Sequence, residues 1–187
     1  MKATNKFLII MVLIGFSSIF GSCASIPKNA KPVQNFDANR YLGTWYEIAR
    51  FDFRFERNMD NTTAQYSLNK KGNITVLNSG YNYVDNEWKK AEGIAKFRGN
   101  KNVGALKVSF FGPFYSGYNV VALDKNYQYA LIAGANLDYL WILSREKQIP
   151  EEVKADYLQI AKNIGYDTSR LIWVKHYKND NPYLEKK

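Results

Sequence analysis

The sequence predicts an all-β protein: an eight-stranded antiparallel up-and-down β-barrel with one C-terminal α-helix packed outside and a short ninth strand. Three observations predict it. Aromatic residues make up 16% of the chain, and such side chains favour a pleated, half-buried surface. Turn-forming residues recur about every eight to twelve positions. The connections between apolar runs are short, so successive strands pair as antiparallel neighbours. Eight strands in simple order, each with an inner and an outer face, suit closure into a barrel. A two-sheet sandwich is the alternative, but the sequence lacks the long crossover connections that would support it.

The chain begins with Lys2 and Lys6 ahead of an uncharged apolar run from Phe7 to Phe20, then Gly21, Ser22 and Cys23. A basic head, a short apolar stretch and a small-residue exit describe a secretory signal, too short to serve comfortably as a membrane span. The cysteine after the small residues resembles the bacterial lipoprotein signal, in which that residue is acylated and becomes the first of the mature chain. Phe20 stands where Leu is usual in that pattern, and an ordinary signal peptide followed by an incidental cysteine is the alternative. The expected organisation is a signal over 1–22, a lipidated N-terminus and tether over 23–39, a barrel domain over 40–177 and a polar tail over 178–187.

Cys23 is the only cysteine. Once acylated, it leaves no thiol for a disulfide, a metal or a nucleophile, so the core alone must stabilise the domain. The net charge of +9 falls by two when Lys2 and Lys6 are removed. The remaining lysines are scattered among strands, which reads as a solvated basic exterior and not as a nucleic-acid site.

Strands are expected at Gly43–Phe51, Thr62–Leu68, Ile74–Tyr83, Trp88–Phe97, Gly104–Phe111, Tyr118–Leu123, Gln128–Ala133 and Tyr139–Ser144. A helix follows, with Pro150 at its first position, Glu151 and Glu152 in its first turn and Gly165 after its last. Val153, Tyr157, Ile160, Ala161 and Ile164 form one apolar stripe, which packs on the parent domain in the usual case. Leu171–Val174 offers the ninth strand.

At the first strand the sequence becomes specific. Gly43-Thr44-Trp45-Tyr46 resembles the Gly-x-Trp motif that opens a lipocalin barrel, and Arg145, closing the run Trp141-Ile142-Leu143-Ser144, matches the arginine that ends it. The family's middle motif is met only loosely, by Asp124 and Tyr127. Arg54-Phe55-Glu56-Arg57 and the stretch from Lys107 to Tyr115 are similar to the bacterial outer-membrane lipoprotein subgroup of lipocalins. The resemblance implies that Trp45 plugs the closed end with Arg145 across its ring, a cation–π contact worth about 1–2 kcal/mol if desolvated. It also implies a ligand cavity open at one end, and fatty acids or lysophospholipids as ligands. Ala24, in place of Asp after the cysteine, suggests outer-membrane retention by analogy with enteric lipoproteins, with the barrel in the periplasm.

With Trp45 inward, period-two geometry sends Glu47, Ala49 and Phe51 inward too. Arg145 inward implies Leu143, Trp141 and Tyr139. The second strand offers Ala64, Tyr66 and Leu68, and the third Ile74, Val76, Asn78 and Gly80. The fifth offers Leu106, Val108 and Phe110, the sixth Tyr118, Val120 and Ala122, and the seventh Ala130 and Ile132. The residues expected to line a ligand are Tyr66, Val76, Asn78, Val108, Phe110, Tyr118, Val120, Tyr139 and Trp141. Such side chains fill a solid core in the smallest barrels, which would make this a structural envelope lipoprotein without cargo. Ala49, Ala64, Gly80 and Ala122 instead suggest room, and an apolar pocket with a few polar groups is the usual form of a small-ligand site.

An enzyme acting on lipids is the weakest reading. The lone histidine, His176, follows the ninth strand, outside the expected cavity, so no Ser–His–acid set, His-bound haem or zinc site can be placed there. No cofactor or metal is expected. The aromatic run Phe111, Phe114 and Tyr115 suits the barrel mouth, a homodimer contact or a membrane surface equally, and the sequence does not choose.

Overall fold

The computed structural model describes residues 25–184; the expected signal and Cys23 lie outside the described residues. A short helix α1 (Ala38–Tyr41) leads into β1 (Gly43–Phe51), β2 (Met59–Leu68), β3 (Ile74–Asn82), β4 (Glu87–Phe97), β5 (Ala105–Phe111), β6 (Phe114–Leu123), β7 (Tyr129–Ala133) and β8 (Leu140–Ser144). Helix α2 (Glu151–Ile164) and β9 (Leu171–Trp173) complete the chain. Each strand from β2 to β8 pairs antiparallel with the next, and β8 pairs with β1. β1 pairs back to β2, so the sheet closes into the predicted eight-stranded barrel with β9 outside.

β1 serves three neighbours by dividing its length. Gly43–Tyr46 pair with β2, whereas Ala49–Phe51 pair with β9 where β2 has diverged. Asn61, at φ 54°, holds that divergence. Its side-chain oxygen accepts the backbone N–H groups of Tyr177 and Lys178 at 2.8 and 2.7 Å.

One end of the barrel is packed shut. Trp45 is fully buried there among Phe36, Tyr41, Leu143 and Tyr127. The Arg145 guanidinium lies 3.9 Å over its ring. Arg145 donates to the carbonyls of Tyr127, Thr44, Arg40, Tyr41 and Leu42 at 2.8–3.2 Å. Gly43, at φ +91°, occupies a left-handed conformation in which an added Cβ would sit 3.4 Å from Arg145 Nη1. That is the local reason for glycine two residues before the tryptophan.

Helix α2 lies across the outside. Pro150 precedes its first turn as the cap residue, one position earlier than expected, and Gly165 ends it at φ 115°. Tyr157, Ala161 and Ile164 of the stripe are buried against Ala49, Phe51, Leu131 and Ile142. The Tyr157 hydroxyl donates to the Tyr129 carbonyl at 2.9 Å.

Four residues expected inside are not there. The β1–β8 register slips between Glu47 and Ala49, a bulge that reverses the alternation. Ala49 and Phe51 therefore face α2, and Arg50 turns inward to Glu47. A second slip, between Val120 and Ala122 against β7, sends Ala122 to the helix side and Leu123 to the interior. Leu68 sits at the last position of β2 and is exposed.

The segments read as tether and tail are also packed. Ala30 and Phe36 are buried, and Val33 exchanges backbone hydrogen bonds with Val120 and Gly104 at 2.9 Å. The Gln65 side chain donates to the Tyr183 carbonyl at 2.9 Å, holding residues past 178 against the wall.

Replacing Arg145 with Ala should cost about 2–4 kcal/mol of unfolding free energy in urea titration, because buried carbonyls lose their donors together. Arg145→Lys should restore less than half, since an ammonium can neither fork nor stack.

Candidate functional site

Between the floor and the open end lies a cavity of about 520 Å³, so the barrel is not filled. Tyr66, Val76, Asn78, Val108 and Phe110 stand on its wall, as do Tyr118, Tyr139 and Trp141. Val120 does not reach it. That residue is fully buried lower in the barrel, where a Cβ on Gly104 would touch it at 3.0 Å.

The room arises differently from the expectation. Of the four small residues thought to leave space, only Ala64 is on the wall. Gly80 gives its space to Met59 and Thr62, which an added Cβ would meet at 2.9 and 2.7 Å. Instead Ala91, Gly93 and Ala95 of β4 pair with Asn78, Val76 and Ile74, placing three small residues on one inner stripe. A Cβ on Gly93 would lie 2.8 Å from the Phe110 ring, so glycine is what lets that ring cross the wall. The signal for this stripe was present as Ala91-x-Gly93-x-Ala95 alternating with Glu92, Ile94 and Lys96.

Sequence reasoning also missed the loop between β1 and β2. Phe53, Phe55 and Glu56 reach the cavity from it, Met59 reaches it from the first position of β2, and Tyr41 from α1. Phe55 meets Phe111 of β5, from the opposite wall, with ring centroids 5.5 Å apart. Lys89 and Lys90 stand at the same upper wall. Lys89 is paired with Asp85 and Glu87, and Lys90 with Glu92.

Polar groups inside fall into three sets. Near the floor, Tyr118 Oη contacts Tyr41 Oη at 2.6 Å and Tyr66 Oη at 2.8 Å. Burial raises the pKa of all three hydroxyls, which are therefore neutral at physiological pH. Three O–H groups serve two contacts, so one proton is left to donate. On the wall, Asn78 Oδ1 is buried with no partner among the described residues. Toward the mouth, Arg50 Nη1 donates to Glu47 Oε1 at 3.0 Å, and its Nε lies 3.8 Å from Glu56 Oε2.

That last cluster holds two buried carboxyls against one guanidinium. Burial raises the Glu56 carboxyl well above its ordinary range; the Glu47 charge adds to this and Arg50 opposes it. Burial raises Glu47 as well, with Arg50 and the Thr62 hydroxyl opposing. One guanidinium balances one carboxylate, so the pair holds a shared proton to higher pH than free carboxyls do. His176 is outside: its Nε2 hydrogen-bonds the Glu47 carbonyl at 2.8 Å and its ring meets Tyr46 edge-on.

A closed eight-stranded barrel with an external helix, a sealed floor and an open apolar cavity defines a calyx-type binding protein. The comparisons agree. A family model described as a lipocalin-like domain matches residues 36–176, and the chain belongs to that family. It is 54% identical over 164 residues to the outer membrane lipoprotein Blc of Citrobacter freundii, covering 88% of this chain and 93% of that protein. It is 51% identical over 168 residues to Blc of Escherichia coli K12, covering 90% and 95%. Among solved structures, insecticyanin of the tobacco hornworm Manduca sexta superposes with a TM-score of 0.64 at 22% identity, covering 83% of this chain and 88% of that one. At that identity the likeness concerns the fold.

The native carboxyl pair binds its proton more tightly than the unfolded chain does. Its contribution to stability is complete below the ordinary carboxylate value of 4.5 and is lost as pH rises through the raised native value. Glu56→Gln, neutral at every pH, should therefore gain on the parent protein as pH rises from 4.5 toward neutrality, by up to about 1.4 kcal/mol per pH unit. Denaturant unfolding of both proteins across that range checks this; a constant difference would contradict a shared buried proton.

Proposed function

We propose that the protein takes up an elongated apolar molecule with a small polar head, a fatty acid or a lysophospholipid, and stores or carries it in the bacterial cell envelope. The observation that carries this reading is the unfilled cavity of about 520 Å³, inside the range of roughly 300–1,000 Å³ that holds small ligands. An acyl chain gains about 0.8 kcal/mol per methylene buried. A dozen methylenes give roughly 10 kcal/mol before the losses of ordering and association. That suffices for useful affinity without a specific polar contact. The head is then placed by whatever partners it meets: Lys89 or Lys90 for an anion at the mouth, Asn78 Oδ1 on the wall as an acceptor for a hydroxyl, or the spare tyrosine hydroxyl below as a donor.

The protein acts as a binder and not as a catalyst in this reading. Its place is the outer membrane, in keeping with the names of its bacterial relatives. Attachment runs through acylated Cys23 with the barrel in the periplasm. More than one chain on that cysteine gives stable anchoring where a single chain gives marginal binding.

Native mass spectrometry of the chain from residue 23 with Cys23→Ser, followed by solvent extraction, tests the cargo. A bound or readily loaded fatty acid or lysolipid is expected, and Val108→Trp, which fills the cavity, should lower uptake by about tenfold or more. A protein that takes up neither lipid class where a known carrier does would sink the proposal. Separately, labelled palmitate should enter the parent chain in cells and not its Cys23→Ser variant.

A further inference from the structure

The open rim carries more apolar surface than a water-facing edge needs. Phe114 is 80% exposed, Phe111 64% and Phe55 61%, at an end where Val84 is 60% exposed. These are loop-tip positions of three separate connections: Phe55 between β1 and β2, Val84 between β3 and β4, and Phe111 and Phe114 around the β5–β6 turn. Scattered exposed aromatics need no explanation, but a contiguous apolar patch marks a contact. The closed end differs: the turn after β2 exposes Leu68 as its one large apolar side chain.

Cations accompany these rings. The Arg54 guanidinium lies 4.8 Å over Phe55, and Lys96 and Lys107 stand 5.3 and 5.1 Å from the Tyr115 ring. None of the three belongs to an ion pair among the described residues. The acids at this end are largely committed, Asp52 to Arg57, Asp85 and Glu87 to Lys89, and Glu92 to Lys90. Rings at the tips with free cations behind them complement an apolar layer capped by anions.

The start of the described chain lies midway along β6, where the Arg98 side chain, from the connection that follows β4, donates to Ser25 Oγ. Ser25 packs on the outer face of β6, where a Cβ on Gly117 would meet its carbonyl oxygen, beside Ala135 of the β7–β8 connection. Its carbonyl also accepts from Asn119 Nδ2 at 3.0 Å. Gly117 is three positions along β6 from Phe114, or roughly 10 Å. Cys23 is two residues before Ser25, within about 7 Å of chain.

We propose that the open rim docks on an anionic phospholipid bilayer, with Phe55, Phe111 and Phe114 entering the interfacial layer and Arg54, Lys96 and Lys107 meeting lipid phosphates. Docking also acts on entry. The Phe55–Phe111 contact bridges the mouth, and a bilayer that receives both rings replaces their contact with each other. The cavity then opens toward the phase in which an acyl ligand resides. The docking itself does not rest on the cargo assignment, because it concerns the rim.

The test is vesicle co-sedimentation of the chain from residue 23 with Cys23→Ser, which keeps every described residue and lacks the anchor. Vesicles of phosphatidylglycerol mixed with phosphatidylethanolamine are compared with pure phosphatidylcholine. Binding to the anionic vesicles is expected, weakened by salt. The double variant Phe111→Ser/Phe114→Ser should weaken it by about tenfold or more, while its thermal midpoint stays at the parent value. Leu68→Ser, at the closed end, should bind as the parent does. Absence of binding to anionic vesicles overturns the proposal. So does equal binding by the rim double variant, which would mean that the basic surface adsorbs without orientation. A rim double variant whose only change is dissociation of a dimer, read by sedimentation velocity, assigns the patch to a second copy and also overturns it. Failure here with lipid still found in the cavity would leave the carrier function standing.

Discussion

A barrel that is to hold a guest must be solid at one end and empty above it, and the contact between Arg145 and Trp45 makes that division. The guanidinium covers the ring at 3.9 Å and spends its donors on five backbone carbonyls. Those carbonyls come from the segment that enters β1 and from the turn between β6 and β7, while the arginine itself follows β8. One side chain thus ties the first strand to the last and seals the base. Because the floor is satisfied by charge-assisted hydrogen bonds, it does not require the apolar filling that a smaller barrel would draw down from above.

The cavity above depends on what its wall omits. Ala91, Gly93 and Ala95 run up one inner stripe of β4, and Gly93 gives Phe110 the space to lie flat. The polar groups left inside differ in cost. The tyrosine hydroxyls satisfy one another and remain neutral, so they are tolerated near the floor. The Glu47–Arg50–Glu56 cluster is more demanding, since it confines two carboxyls and one guanidinium beside an apolar wall, with burial raising the Glu56 pKa. It also ties β1 to the loop that carries Phe53 and Phe55, because Arg50 Nη2 donates to the Glu56 and Met59 carbonyls at 2.7 and 3.0 Å. The loop that borders the mouth is in this way fastened from within the barrel.

The exterior is organised around the same axis. Helix α2 covers β7, β8 and the upper half of β1, the part of the wall where bulges turned Ala49, Phe51 and Ala122 outward. β9 then fills the edge that β1 exposes where β2 diverges. The N-terminal segment runs along the outside from the level of the β7–β8 connection to the floor, ending in Phe36. Rim and cavity mouth thus lie at one end, and the rigid base at the other.

Much of this was legible in the residues themselves. Strand number, strand order, the external helix and the Gly43–Trp45–Arg145 floor all follow from short-range periodicity, turn chemistry and a resemblance to a known family, each of which is local in the chain. Eight of the nine side chains expected to line a ligand do stand on the cavity wall, because period-two alternation is dictated by backbone geometry. What only the tertiary structure decided is where that alternation breaks. The slips at Ile48 and Val121 are set by fitting one strand against its neighbours in a closed barrel, and no local pattern announces them. Hence the reversal at Ala49, Phe51 and Ala122, the inward turn of Arg50, and the placing of Val120 beneath the cavity. The approach of Phe55 to Phe111 is likewise a fact of closure: the two residues are far apart in sequence and meet only because the barrel brings opposite walls to one mouth.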